Sequence, residues 1–378
     1  MSEESITACV DRPRLDDEHP GRPESPESWW KIHHDWLAAS GYDLQRRHHP
    51  LWTRPWRVAD DAYVKYEDGQ ANIVILATRT SDGKHVALKR FIPTSAYLEY
   101  VRKMELSLMK YLCMGPLAAD PRNGCVPVLD ILDIPNADEE KLLVMPVLRR
   151  FDDPEFETYG EAVAFFSQIF EAVKCLHEHL IAHRDLTLNS IRMDASRMYP
   201  ESLHPGKRDH PARDWKGKAK RYTRTQKPPR YHLVNFGLSR PYDRDDWPFL
   251  ELPDINGDTT VPEHSPGSLN TSCDPFATDT YTLGNVIRAR FITRSKGFEF
   301  MVPLVDDMVA HDPTKRPTME EVIERFRAIR QSLGKRILRA RIVRKEECFV
   351  VGLWRSVGYW NRRIGYTWRK ISAIPDYA

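Results

Sequence analysis

The chain has 378 residues with 41% hydrophobic and 29% charged content, which suits a globular protein of one large bilobal domain or two ordinary ones. A formal net charge of +2 is too close to zero for the whole molecule to be a basic nucleic-acid binder. Six cysteines without C-x-x-C spacing argue against a disulfide framework or a cysteine zinc site and predict reduced thiols.

The N-terminus has no basic-then-apolar leader, and no apolar run reaches membrane-spanning length, so the expected compartment is cytoplasm or nucleus. Residues 1–27, rich in Pro, Glu, Asp and Ser, predict a disordered tail. Residues 28–61 form a Trp-rich extension holding Trp29, Trp30, Trp36, Leu37, Tyr42, Leu44, Trp52 and Trp56. That much indole surface predicts packing against the main domain, ahead of an exposed peptide- or lipid-binding patch. His33, His34, His48 and His49 lack partners at metal-ligand spacing, so a metal site is not expected there.

Residues 62–148 predict a small β-rich unit. Val74-Ile75-Leu76-Ala77 and Val86-Ala87-Leu88-Lys89 read as strands joined by the Ser81-Asp82-Gly83-Lys84 turn. Residues 97–112 follow with Leu98, Val101, Glu105, Leu108, Met109 and Leu112 at helical spacing. Lys141-Leu142-Leu143-Val144-Met145-Pro146-Val147-Leu148 reads as a buried strand running into a connector.

Residues 149–334 predict a larger helical unit. An amphipathic helix over 159–180 delivers the chain to Ile181-Ala182-His183-Arg184-Asp185-Leu186-Thr187-Leu188-Asn189-Ser190-Ile191. A basic, proline-broken stretch over 195–230 reads as a solvated surface insert, without the aromatic signature of a nucleic-acid site. A strand over 231–234 enters Asn235-Phe236-Gly237, and an acidic segment containing Thr259 and Thr260 ends at Val261-Pro262-Glu263. Asp279-Thr280-Tyr281-Thr282-Leu283-Gly284 and Asp312-Pro313-Thr314-Lys315-Arg316-Pro317 come later. Residues 335–378 are a basic tail. In it Leu353, Val357, Trp360, Ile364, Trp368 and Ile371 make one helical stripe opposed by Arg355, Arg362, Arg363 and Arg369. Packing on the domain or binding a protein partner is favoured for that stripe over contact with an anionic membrane surface.

Taken in order across residues 63–330, these pieces resemble the eukaryotic protein kinases. His183-Arg184-Asp185-Leu186 is similar to the catalytic-loop H-R-D-L, Asn235-Phe236-Gly237 to D-F-G, and Val86-Ala87-Leu88-Lys89 to V-A-I-K. Val261-Pro262-Glu263 is similar to A-P-E, the Asp279 stretch to the D-x-[WY]-S-x-G of helix F, and the Asp312 stretch to D-P-x-x-R-P. Five further pieces resemble a group of fungal protein kinase-like proteins: the Trp36-Leu37 leader, Met198-Tyr199-Pro200, Tyr222-Thr223-Arg224-Thr225, Cys273-Asp274-Pro275-Phe276 and Gly297-Phe298-Glu299-Phe300-Met301. The implied fold is α+β and bilobal. It has a small N-lobe with helix C, a large helical C-lobe, an insert before the Asn235 motif and a basic tail.

The resemblance implies Asp185 as catalytic base and Lys89 as a phosphate clamp pinned by Glu105. The nucleotide would meet Gly69, Val74, Ala87, Lys89, Met145 (the gatekeeper), Val147 and Leu148. His183, Arg184, Phe236, Gly237, Glu263, Asp279 and Arg316 would be structural, with Arg316 bridging Glu263 and Arg184 poised for a phosphate on Thr259 or Thr260. Several positions depart from the pattern. Ser190 and Asn235 stand at the metal-holding positions, Thr187 replaces a lysine, and Glu67 and Asn72 replace two glycines of the phosphate loop. Mg²⁺ favours anionic oxygens, so ATP is the expected ligand and Mg²⁺ is expected to be held poorly. The implied function is a pseudokinase that binds a protein partner and ATP with little or no phosphotransfer. The alternative is a weak Ser/Thr-type kinase using Asp185 as base; small-molecule phosphotransfer on the same fold is a third class.

Overall fold

A computed structural model of the chain describes residues 26–45, 48–51, 74–91, 96–137, 140–201, 218–253, 258–265, 267–268 and 270–377. Glu67, Gly69 and Asn72 of the expected phosphate loop, Trp52, Trp56, most of the N-terminal tail and residues 202–217 of the insert lie outside them. So do the side chains of Leu98, Val101, Leu353, Arg355 and Val357.

The fold is α+β, a curled antiparallel sheet beside a helical body, an arrangement compatible with two lobes. The sheet runs β1 (Tyr42–Leu44), β2 (Val74–Arg79), β3 (His85–Phe91), β5 (Lys141–Pro146) and β4 (Asp130–Asp133), in that spatial order. Strand alternation separates its faces. Ile75, Ala77, Val86, Leu88, Leu142 and Val144 bury one face against Trp29, Trp30, Leu37 and Tyr42. The two tryptophans and Leu37 come from α1 (Pro26–Ile32) and α2 (His34–Ala39). The Trp-rich extension therefore covers the sheet and also supplies its edge strand. The sheet is not confined to the 62–148 unit, because β1 pairs Tyr42 with Arg79 and Leu44 with Ala77.

The other face carries Val74, opposite Lys89, and Ala87, opposite Met145. Helix α3 (Ala96–Met114) lies against the turn at Phe236–Leu238 and buries Leu108, Met109 and Leu112 in the larger core. Cys113 at its end stands 3.4 Å from Cys125, and both are free thiols.

Helix α4 (Tyr159–Glu178) centres the helical body. Thr158 caps it by accepting from Glu161 N, and Phe165, Phe166, Ile169, Phe170 and Val173 are buried on it. Phe166 and Phe170 meet Phe326 of α7 (Met319–Ser332) edge-on. Helix α5 (Pro275–Ile287) starts on the Asp274 cap with Pro275 in its first turn, and α6 (Val302–Met308) packs beside it. A three-stranded sheet of β6 (Arg149–Arg150), β8 (Ile191–Asp194) and β9 (Arg230–Leu233) lies alongside. A short pair, β7 (Ile181–Ala182) with β10 (Arg240–Pro241), flanks the loop at His183.

The expectation of a solvated insert is corrected. The described end of the insert is anchored: Arg224 is 2% exposed. It donates to Phe151 O, Glu155 O and Tyr231 Oη at 2.9–3.0 Å, while Thr225 Oγ1 donates to the buried Glu161 at 2.8 Å. A guanidinium with its donors satisfied and a carboxylate beside it can be buried where an unpaired one could not. The tail is also stitched down. After α8 (Lys335–Leu338), Tyr159 N donates to Ala340 O, Ile342 N to Glu157 O and Lys296 N to Val343 O. Helix α9 (Phe349–Trp368) then docks through Tyr359 and Tyr366, 4% and 7% exposed. Of its apolar stripe, Trp360, Ile364 and Trp368 point away, at 53%, 66% and 83% exposed.

Among the described residues no helix is long and apolar enough to cross a membrane.

Candidate functional site

Strand β3 and helix α3 bring the first pair together. Lys89 Nζ donates to Glu105 Oε1 at 2.6 Å, both side chains being largely buried. A buried ammonium needs such a carboxylate to stay charged. The register of β3 with β2 and β5 sets Val74, Ala87, Lys89 and Met145 on one face, and the half-buried Val147 and the buried Leu148 follow β5. Gly237 approaches Glu105 from below: a Cβ there would stand 3.7 Å from Oε2, so the Asn235-Phe236-Gly237 turn touches the ion pair.

The polar loop between β7 and β8 is held from beneath by Asp279, which is wholly buried on α5. Its carboxylate accepts from the backbone N of His183 and of Arg184, both at 2.7 Å, and meets His177 Nε2 at 3.1 Å. Those bonds hold Arg184 at a φ of +65°, a left-handed conformation that is costly for a side-chain-bearing residue. His183 Nε2 meets Val234 O at 3.1 Å and its Nδ1 accepts from Asp185 N at 3.3 Å. One ring nitrogen donating and the other accepting fits a neutral imidazole, and burial pushes its pKa down in the same direction. Phe236 packs 4.8 Å from the ring.

Asp185 is the centre of the site. Asn235 Nδ2 donates to its Oδ2 at 2.6 Å and Ser190 Oγ donates to the same oxygen at 3.3 Å. Burial pushes the Asp185 carboxyl up to about 6, against the pull of those two donors. Asn235 has a φ of +68°, a left-handed position that asparagine tolerates better than most residues. Thr187 Oγ1 lies 3.2 Å from Ser190 Oγ, closing a small hydroxyl cluster under the acid.

Farther along, Arg316 grips Glu263 with two bonds of 2.7 Å and stacks on Tyr281 at 4.7 Å. Tyr281 Oη donates to Thr260 O, and Asn285 Nδ2 donates to Thr260 Oγ1 at 2.9 Å. Thr259 and Thr260 are both exposed.

One residue the sequence did not single out is Glu251. It stands 3.5 Å from Arg184 and 2.7 Å from Arg240, and Tyr242 Oη donates to it. Arg184 also donates to Leu238 O and Leu252 O. The arginine expected to await a phosphate is already satisfied by a carboxylate and two carbonyls. No spacing rule marks Glu251 among the acids of its segment, so the sequence carried no signal for it.

The donor set does not fit Mg²⁺. Asp185, Ser190 and Asn235 offer one carboxylate and neutral groups, and the Oδ2 of that carboxylate already accepts from the other two side chains, whereas Mg²⁺ favours anionic oxygens. No model of a known protein family matches the chain, and neither does any curated protein.

Proposed function

We propose that this chain is a kinase-like binding protein, a pseudokinase that holds a protein partner and ATP with little or no phosphotransfer. The observation that carries it is the 2.6 Å bond from Asn235 Nδ2 to Asp185 Oδ2. Where phosphoryl transfer asks for a metal-holding carboxylate beside the base, an amide instead uses up an oxygen of the acid. Lys89, paired to Glu105, would hold ATP phosphates through charge alone. Losing a charged stabiliser of the transition state costs about 10²–10³ in rate, and two metal-holding positions are lost.

A second reading, a weak protein kinase, draws on Asp185. A carboxyl at about 6 is well matched to accept a proton near neutral pH.

The test is transfer of labelled γ-phosphate to the protein itself and to a generic substrate, with Mg²⁺ and Mn²⁺, beside Asp185→Ala. No transfer, or transfer indifferent to the mutation, is expected; transfer that disappears in Asp185→Ala establishes the second reading. In parallel, ATP in chelator is expected to raise the Tm of the parent more than that of Lys89→Ala.

A further inference from the structure

Helix α9 does not lie flush on the helical body. A cavity of about 460 Å³ remains between them, bordered by Phe156, Phe291, Ile342 and Gly358 and by an unusual number of charges. Six arginines line it (Arg221, Arg290, Arg294, Arg341, Arg344 and Arg362) against two carboxylates, Glu155 and Glu157. Four of the six are paired. Arg362 meets Glu157 at 3.0 Å, Arg344 meets Glu155, and Arg290 and Arg341 reach Asp152 and Glu347 at 2.5 and 2.6 Å. Arg221 and Arg294 are exposed at the rim and form no ion pair among the described residues. Among the described residues, two of the six guanidiniums, Arg221 and Arg294, are therefore left without a carboxylate.

The buried wall is short of acceptors. Tyr359 is 4% exposed and lines the cavity, yet its Oη has no hydrogen-bond partner among the described residues; neither does the buried Nε of Arg362. Arg363 stands near Tyr359 without closing a hydrogen bond of good geometry. A buried donor left unmade is costly, and an occupant rich in acceptors would relieve that cost where it reaches these groups. Arg290 points the same way, its pKa lowered first by burial and also by Arg294 nearby.

From this geometry we infer that the cavity under α9 is an anion site for a small molecule bearing two or more phosphate groups. Its volume falls in the range of small-molecule sites, and planar guanidiniums are suited to phosphate oxygens. The ligand bridges α9, through Tyr359 and Arg362, to the turn after α5, through Arg294, and so fastens the tail to the body. This site is separate from the Lys89–Asp185 cleft and stands whether or not that cleft transfers phosphate.

The full chain is titrated with tripolyphosphate and with inositol hexakisphosphate at physiological salt, by calorimetry and thermal shift. Saturable binding with a raised Tm is expected. Arg294→Ala and Arg221→Ala, both at exposed positions, should each weaken it about tenfold, as loss of a charge-assisted hydrogen bond does. Tyr359→Phe should weaken binding while leaving the Tm of the free protein unchanged or higher, because it removes an unmade donor. Lys89→Ala should bind tripolyphosphate as the parent does. Absence of binding overturns the inference, and so does binding that ignores Arg294→Ala and Arg221→Ala or that is lost in Lys89→Ala. Vesicles of phosphatidylcholine with and without a phosphoinositide separate the sources of the phosphates. Sedimentation that depends on both the phosphoinositide and Arg294 assigns a lipid headgroup, and soluble binding without sedimentation assigns a free polyphosphate.

Discussion

At Asp185 a carboxyl is buried between two donors, and its protonation sets what the loop can do. Its folded pKa of about 6 lies above the usual carboxylate value. The folded state therefore binds the proton more tightly than the unfolded chain, and the associated stability is lost as pH rises through about 6. Asp185→Asn should accordingly raise Tm at pH 7.5, by the equivalent of about 1–3 kcal/mol, and change it little near pH 4. A melting series on both proteins checks this; an equal shift at both pH values would contradict it. Asn235→Asp tests the same contact in the opposite sense. A second carboxylate 2.6 Å from the first repels it, so in chelator the variant should melt lower than the parent. Mg²⁺ should raise the Tm of the variant and not of the parent. A variant indifferent to Mg²⁺ would mean that the metal position is degraded by more than Asn235.

At the level of elements, the insert and the tail are part of the body. Arg224 serves three carbonyl or hydroxyl oxygens and lies near Glu161, whose own carboxyl is pushed up chiefly by burial. Arg224→Ala removes the compensation and should cost about 3–5 kcal/mol, with part of the loss returned by adding Glu161→Gln. Denaturant melts of the two variants decide it. Gly160 reports on the terminal segment. A Cβ there would stand 1.8 Å from Ala373 O, so backbone must move. Gly160→Ala should cost about 1–3 kcal/mol and make the C-terminal segment more susceptible to limited proteolysis. The stripe of α9 illustrates where spacing misleads. Periodicity identified a helix with an apolar and an arginine face, but not which face docks. Tyr359 and Tyr366 face inward and Arg362 reaches Glu157, while Trp360, Ile364 and Trp368 are turned out.

Across the whole molecule, two cores meet at the sheet. Trp30, 1% exposed, belongs to the core between sheet and extension; Trp30→Ala should destabilise by about 3–5 kcal/mol. Desolvated histidines contribute to the acid limit. His85, His183 and His264 have lowered pKa values and His232 falls to about 4, burial being the first cause in each. The unfolded chain takes up these protons near pH 6.5. Stability is therefore lost as pH falls from about 6.5 toward about 4, opposed in part by Asp185 from about 6 downward. His232→Gln should flatten the acid limb of a Tm–pH curve, and an unaltered limb would assign the acid sensitivity elsewhere.

Local pattern was enough for the strands around Ala87 and Met145 and for α4, while the pairing of Lys89 with Glu105 was expected from the resemblance. Alternation and helical period are short-range physics, carried by residues close in sequence. Burial of the Trp-rich segment was legible from composition, but its strand β1 was not, because a three-residue edge gains its identity from the neighbour it pairs with. The same holds for Glu251 beside Arg184, for the buried Arg224 and for the arginine cavity under α9. Each joins residues distant in the chain, and charge pairing across such distances leaves no periodic trace in the order of residues. Helix and strand could be written down from neighbours, whereas the partner of each buried charge depended on how the whole chain packed.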